Sequence, residues 1–255
     1  MLNFLDGRGR RLAPIGMKSS TRAGLAVASA AAVVSATFPT TADAQDLCRQ
    51  ALVFALDVSS SVDDMEYRQQ LEGLAGALQE PDVLDAILGD PEAPMAVAAF
   101  EWSSRNYAAL IADWTLLRSE ADVEQVAARL RGWERHFAPS ETGLGTGLRS
   151  ASGLLASAPE CFERTIDISA DGKNNDGPSP MNVRAAGELD GVTVNALLVG
   201  TEAGPGAEEE LEGMRVYLQE NVVSGPGSFL AMAQSYADYT SAMRRKLLKE
   251  IARAP

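Results

Sequence analysis

Apolar residues in this chain come in two rhythms, short solid runs and longer stretches where they recur every three or four positions. Residues 51–57 form a continuous apolar run of strand length that ends in Asp57. Residues 63–78 carry Met65, Leu71, Leu74 and Leu78 at helical spacing, with Asp63 and Asp64 placed to cap the start. Pro81 interrupts, and 83–88 reads as a further turn or two of helix. Residues 95–102 and 107–114 are two strand-like runs joined by a polar turn, a hairpin at a sheet edge. A helix over 119–133 follows, with Ser119 as its N-cap and Val123, Val126 and Leu130 on one face. After a loop, a helix runs to about Ser157, then a buried strand over 165–169 and a helix over 182–189. Residues 192–199 make another strand, and 201–221 is acidic and helical from Glu208. A Gly225-Pro226-Gly227 turn leads into a short strand over 228–233, and 235–252 closes as an amphipathic helix. Strand–helix alternation of this kind predicts one α/β domain: a doubly wound, mostly parallel sheet with one antiparallel edge strand and helices on both faces.

The first 44 residues are set apart by composition. Lys18 and Arg22 stand before an apolar, small-residue stretch over 23–38, and Ala42-Asp43-Ala44 fits the small-x-small cleavage rule. This reads as a secretory signal peptide cut after Ala44, with translation starting at Met1 or Met17. The alternative, a retained anchor, is disfavoured because the stretch is short of the about 20 residues that a span needs. Residues 45–255 then form a single domain destined for the periplasm or the exterior. The leader holds five of the 22 basic residues and two of the 35 acidic ones, leaving 17 against 33, a net charge of −16. So acidic a surface repels nucleic acid and anionic lipid. No later segment is long and apolar enough to span a bilayer.

Export also bears on Cys48 and Cys161, the only two cysteines. Each lies just upstream of an apolar run that ends in an aspartate, Asp57 or Asp171. If those runs are parallel neighbours, the two thiols meet at the end of the sheet away from the aspartates and can form a disulfide; otherwise both are buried free thiols.

Ligands in a doubly wound sheet bind outside the carboxyl ends of the strands. There, Asp57-Val58-Ser59-Ser60-Ser61 in extended form would present Asp57, Ser59 and Ser61 on one side. Thr142 lies in a Gly-flanked segment, Glu141-Thr142-Gly143-Leu144-Gly145, and Asp171-Gly172 supplies a second carboxylate. Two carboxylates and three hydroxyls are hard oxygen donors that suit Mg²⁺, and also Mn²⁺ or Ca²⁺. A lone Asp-x-Ser-x-Ser is a weak signal, since Ser-rich turns often cap helices; the conjunction of three segments is specific.

These three segments resemble the metal-ion-dependent adhesion site of von Willebrand factor A-type (VWA) domains, and the resemblance covers about residues 48–252. It is nearest to exported bacterial single-domain proteins of that type without assigned function. The resemblance implies that Ser59, Ser61 and Thr142 give hydroxyls to the ion and that Asp57 and Asp171 bind it directly or through water. It also implies an open coordination position that takes an Asp or Glu from a partner protein. Ser140-Glu141 departs from the family's frequent Gly-Gly before the threonine. Glu101, Glu141, Asn174 and Asn175 are candidates for a binding rim.

Enzymatic readings find little support. The one histidine, His136, has no Gly-x-Ser-x-Gly elbow to serve, zinc ligands are too few, and no Gly-rich phosphate loop occurs. The expectation is a metal-dependent protein-binding module of the cell envelope without enzyme activity. An assembly factor with an incidental metal site is the alternative, and a metal-assisted hydrolase a weaker one for want of a general base. Arg244, Arg245, Lys246 and Lys249 read as cations complementing the last turns of a helix.

Overall fold

All ten residues of β1 (Cys48–Asp57) are buried, the mark of a central strand covered on both faces. In the computed structural model, which describes residues 48–136, 140–200 and 206–252, β1 lies at the middle of a six-stranded sheet. The leader and its cleavage site fall outside the described residues. The other strands are β2 (Met95–Trp102), β3 (Ala108–Leu117), β4 (Cys161–Ala170), β5 (Thr193–Val199) and β6 (Leu230–Ala233). Their order is β3-β2-β1-β4-β5-β6, all parallel except β3, which runs antiparallel to β2 at one edge. The chain winds outward from β1 in both directions, so the crevice between the carboxyl ends of β1 and β4 is the topological switch point.

Helices α1 (Asp64–Leu78), α2 (Pro81–Leu88), α3 (Glu120–Gly132) and α7 (Tyr239–Ile251) cover one face, packing on Leu52, Phe54 and Leu56 of β1. The opposite face, with Ala51, Val53 and Ala55 of β1, is covered by α4 (Leu144–Leu155), α5 (Pro180–Ala185) and α6 (Ala207–Asn221). The small residues on that side let α4 lie close; a Cβ on Gly147 would stand 2.7 Å from the Trp102 ring. Asp63 caps α1 in a capping box with Glu66, and Ser119 caps α3.

Differences from the sequence expectation have local causes. β4 starts four residues before the expected 165–169, because residues 161–164 alternate between half-buried and exposed and so lack an apolar run. The helix expected over 182–189 is only Pro180–Ala185, started by the Ser179 cap and a proline in its first turn. A 3-10 turn, Tyr236–Asp238, precedes α7. Cys48 and Cys161 are partners in the β1–β4 register and are joined by a disulfide at the end of the sheet away from Asp57 and Asp171. No helix among the described residues is long and apolar enough to cross a membrane.

Candidate metal centre

Where β1 ends, Asp57 is fully buried and its loop is tied down on several sides. Val58 N–H donates to Trp102 O of β2 at 2.9 Å, and Gln70 of α1 donates to the Asp57 carbonyl at 2.9 Å. The Asp57 carboxylate accepts from Ser59 N–H at 2.9 Å through Oδ1. The hydroxyls of Ser59 and Ser61 lie 3.2 Å apart, and Ser61 donates to Asp171 Oδ1 at 2.8 Å. Asp57, Ser59, Ser61 and Asp171 thus form one chain of polar contacts between the ends of β1 and β4.

Thr142 reaches the same place from the loop before α4. Gly143 N–H donates to Ser103 O at 2.5 Å, and a Cβ on Gly172 would stand 3.4 Å from Thr142 Oγ1. The threonine hydroxyl therefore faces the Asp171-Gly172 turn. Two asparagines lock these loops together. Asn175 Oδ1 accepts from Thr142 N–H at 2.8 Å, and Asn174 Oδ1 accepts from Gly145 N–H at 3.0 Å, capping α4 from another loop. Gly145 admits this close approach, since any Cβ there would collide with the Pro178 carbonyl oxygen. Ser60 closes the set by donating to Ser140 O at 3.2 Å.

Two buried carboxyl groups, Asp57 and Asp171, dominate the electrostatics of the centre. Burial, and after it the charge of Asp171, pushes the Asp57 carboxyl up to about 8. Burial raises Asp171 as well, against the lowering bond from Ser61. Asp57 Oδ2 is buried with no hydrogen-bond partner among the described residues. An unpaired buried carboxylate oxygen is costly, and a bound cation removes that cost. Two carboxylates and three hydroxyls, all oxygen donors, fit a hard divalent ion.

A second line of contacts runs to Asp171 from the C-terminal helix and the 3-10 turn before it. Asp167 and Ser169 of β4 and Asp171 just beyond its end alternate along the chain, and their partners are Lys246, Tyr239 and Tyr236. Lys246 Nζ is 2.6 Å from Asp167 Oδ2, the Tyr239 and Ser169 hydroxyls are 2.8 Å apart, and the Tyr236 hydroxyl is 3.4 Å from Asp171 Oδ2. Lys246 also donates to Glu250 at 2.5 Å, and Asn195 of β5 donates to Glu250 at 2.8 Å. Lys246 is 1% exposed, so it is an interior ion-pair partner and not one of the surface cations expected at the end of a helix.

The structure thus brings Asp57, Ser59, Ser61, Thr142 and Asp171 to one place. The four rim candidates divide. Glu141 is exposed beside Thr142, while Asn174 and Asn175 spend their carbonyl oxygens inward as loop clamps. Glu101 is not on the rim. It is fully buried on the α1 side of the sheet, where Tyr67, Tyr107 and Trp133 donate to it at 2.7, 2.5 and 3.0 Å. Its parity with Val97 and Ala99, both in the core on that face, is the signal that could have placed it inside. His136 is exposed, its ring edge-on to Trp133 at 5.1 Å between centroids.

Sheet order and winding are those of a von Willebrand factor A-like α/β fold. Solved structures that share the fold include proximal thread matrix protein 1 from the mussel byssus (15% identity, TM-score 0.55) and the pilus adhesin SpaC from Lactobacillus rhamnosus GG in its open conformation (14%, TM-score 0.54). Each likeness covers 82% of this chain, which spans 49% of the byssus protein chain and 31% of the adhesin chain. The chain belongs to the family described as protein of unknown function (DUF1194), whose profile matches residues 47–255. Comparison with curated proteins gives no match.

Proposed function

We propose that this chain is a divalent-metal-dependent protein-binding module of the cell envelope. Asp57, Ser59, Ser61, Thr142 and Asp171 would hold Mg²⁺, with Mn²⁺ or Ca²⁺ as substitutes, and the ion would supply a Lewis-acidic position for an Asp or Glu of a partner protein. The observation that carries this reading is Asp57 Oδ2, buried without a partner beside three hydroxyls and a second carboxylate. With only two carboxylates in the set, the neutral hydroxyls would leave the ion electrophilic toward a further carboxylate. The proposal includes no catalysis, because no general base is evident at the centre. Export to the periplasm or beyond accords with the disulfide and the leader sequence. The adhesive role in the printed name of the pilus protein, whose fold is similar, accords with it too.

The test is partner capture by the exported protein with Mg²⁺, with EDTA, and in the Asp57→Ala variant. Capture that needs both the ion and Asp57 supports the proposal. Capture that survives EDTA and the substitution alike overturns it.

A further inference from the structure

Besides the bonds with Trp102, Gln70 and Ser140, the loop that presents Asp57, Ser59 and Ser61 is held by an arginine that the motif does not include. Arg135 lies in the connection between α3 and α4, with a side chain only 14% exposed. Its Nη2 donates to Val62 O at 2.9 Å, Val58 O at 3.0 Å and Ser59 O at 3.4 Å, and its Nη1 donates to Asp64 Oδ1 at 3.2 Å. Three carbonyls of the five residues from Val58 to Val62 therefore converge on one guanidinium nitrogen. A run of three serines has many local side-chain-to-backbone bonds open to it, so its conformation is not self-determined. Fixing the carbonyls removes those choices.

Arg135 is itself held on two sides. Its guanidinium lies over the Tyr67 ring, 5.1 Å from the centroid, and the Tyr67 hydroxyl donates to buried Glu101. Trp133, two residues earlier in the same connection, donates its ring N–H to the same carboxylate. Arg68 adds bonds to the carbonyls of Trp133 and Arg131, both at 2.8 Å. Glu101 is thus the interior anchor of a brace whose outer end is Arg135. The guanidinium reaches the loop carbonyls through Nη2 and Asp64 through Nη1 while lying over the Tyr67 ring; a lysine has one terminal nitrogen and no planar group to do all three.

We propose that Arg135, anchored through Tyr67 and Trp133 on Glu101, is a positioning residue for the metal-holding loop. It sets the carbonyl directions that keep the Ser59 and Ser61 hydroxyls aimed at the Asp171 side. The proposal rests on the reading of that loop as metal-holding. Residues that orient ligands without touching the metal commonly change its affinity by 10–100-fold.

The experiment compares the exported wild-type protein with Arg135→Lys and Arg135→Gln, and uses Asp57→Ala as the site-null control. Amide hydrogen exchange of residues 58–62 is read without metal, and bound Mn²⁺ is read by its spin-resonance spectrum. Both Arg135 variants are expected to exchange faster at 58–62 while β1 and β4 keep their protection, and to bind Mn²⁺ about tenfold more weakly. Lysine is expected to rescue neither property. Unchanged exchange at 58–62, or full rescue by lysine, overturns the proposal. So does faster exchange throughout β1 and α1, which would mean general destabilisation. If the wild-type protein binds no Mn²⁺ yet the Arg135 variants loosen 58–62, the metal reading fails and the brace stands.

Discussion

Ser61 donates its hydroxyl hydrogen to Asp171 at 2.8 Å across a sequence separation of 110 residues. That bond joins the loop after β1 to the turn after β4, the two strands that flank the switch point. The same two strands are joined at their other end by the Cys48–Cys161 bridge. A covalent tie at one end and a polar cluster at the other hold the pair in register, which is what a preorganised ligand cage needs.

The ion should act as a ligand of the folded state. At an ion concentration about 100 times Kd, binding adds about 2.7 kcal/mol to stability. Asp57→Asn is expected to abolish that gain in a thermal-melt titration with Mg²⁺. Its metal-free midpoint is expected to be no lower than wild type, because the substitution removes a buried carboxylate whose Oδ2 has no partner. An equal Mg²⁺ shift in both proteins would exclude Asp57 as a ligand.

Removing the disulfide probes stability apart from the site. The bridge closes a loop with a sequence separation of 113 residues, and a Cys48→Ser/Cys161→Ser double variant is expected to lose up to about 4–5 kcal/mol in the chain-entropy model. Mg²⁺ affinity is expected to stay within about twofold, since the bridge lies at the opposite end of the strands; effects of separated sites commonly add. Urea unfolding and calorimetry on the same variant read the two quantities.

Gly145 marks the tightest approach at the centre. With Pro178 O well inside contact distance of any Cβ at that position, Gly145→Ala must push α4 and the 174–178 loop apart. A cost of about 1–3 kcal/mol is expected from overpacking, together with weaker Mg²⁺ binding, because the Asn174 bond to Gly145 N–H is lost. A melt within about a degree of wild type and intact metal affinity would show that the loops can yield.

Much of this is legible in the sequence because a strand of period two ends in a particular residue: Asp57 and Asp171 close apolar runs, and Thr142 follows in a Gly-flanked turn. Arg135 is not, since its partners are backbone carbonyls, which leave no trace in side-chain chemistry. Lys246 carries a signal that its charge hides. Tyr239, Ala242, Met243, Lys246, Leu247 and Glu250 repeat at the spacing of one buried helix face. Charge near a helix end suggests a solvated cation, and the sheet's own polar row of Asp167 and Asn195 overrides that preference.

That buried cluster makes the last prediction, a pH effect with a definite sign. Glu250 faces Lys246 on its own helix and Asp167 and Asn195 on the sheet. Burial first, and then the charge of Asp167, pushes its carboxyl up to about 8 from an ordinary 4.5, against the opposing effect of Lys246. Below the ordinary value both folded and unfolded chains hold the proton, and its contribution to stability is complete. Between 4.5 and about 8 the unfolded chain gives up the proton while the folded chain keeps it, so stability falls as pH rises through that window. Glu250→Gln has the shape of the protonated acid and still offers an oxygen to Asn195 and Lys246. Its thermal midpoint is expected to decline less than wild type from about pH 5 to about pH 8, measured without metal so that Asp57 contributes equally to both curves. Parallel curves would mean that Glu250 is ionised in the folded protein throughout, with Lys246 shared between two carboxylates.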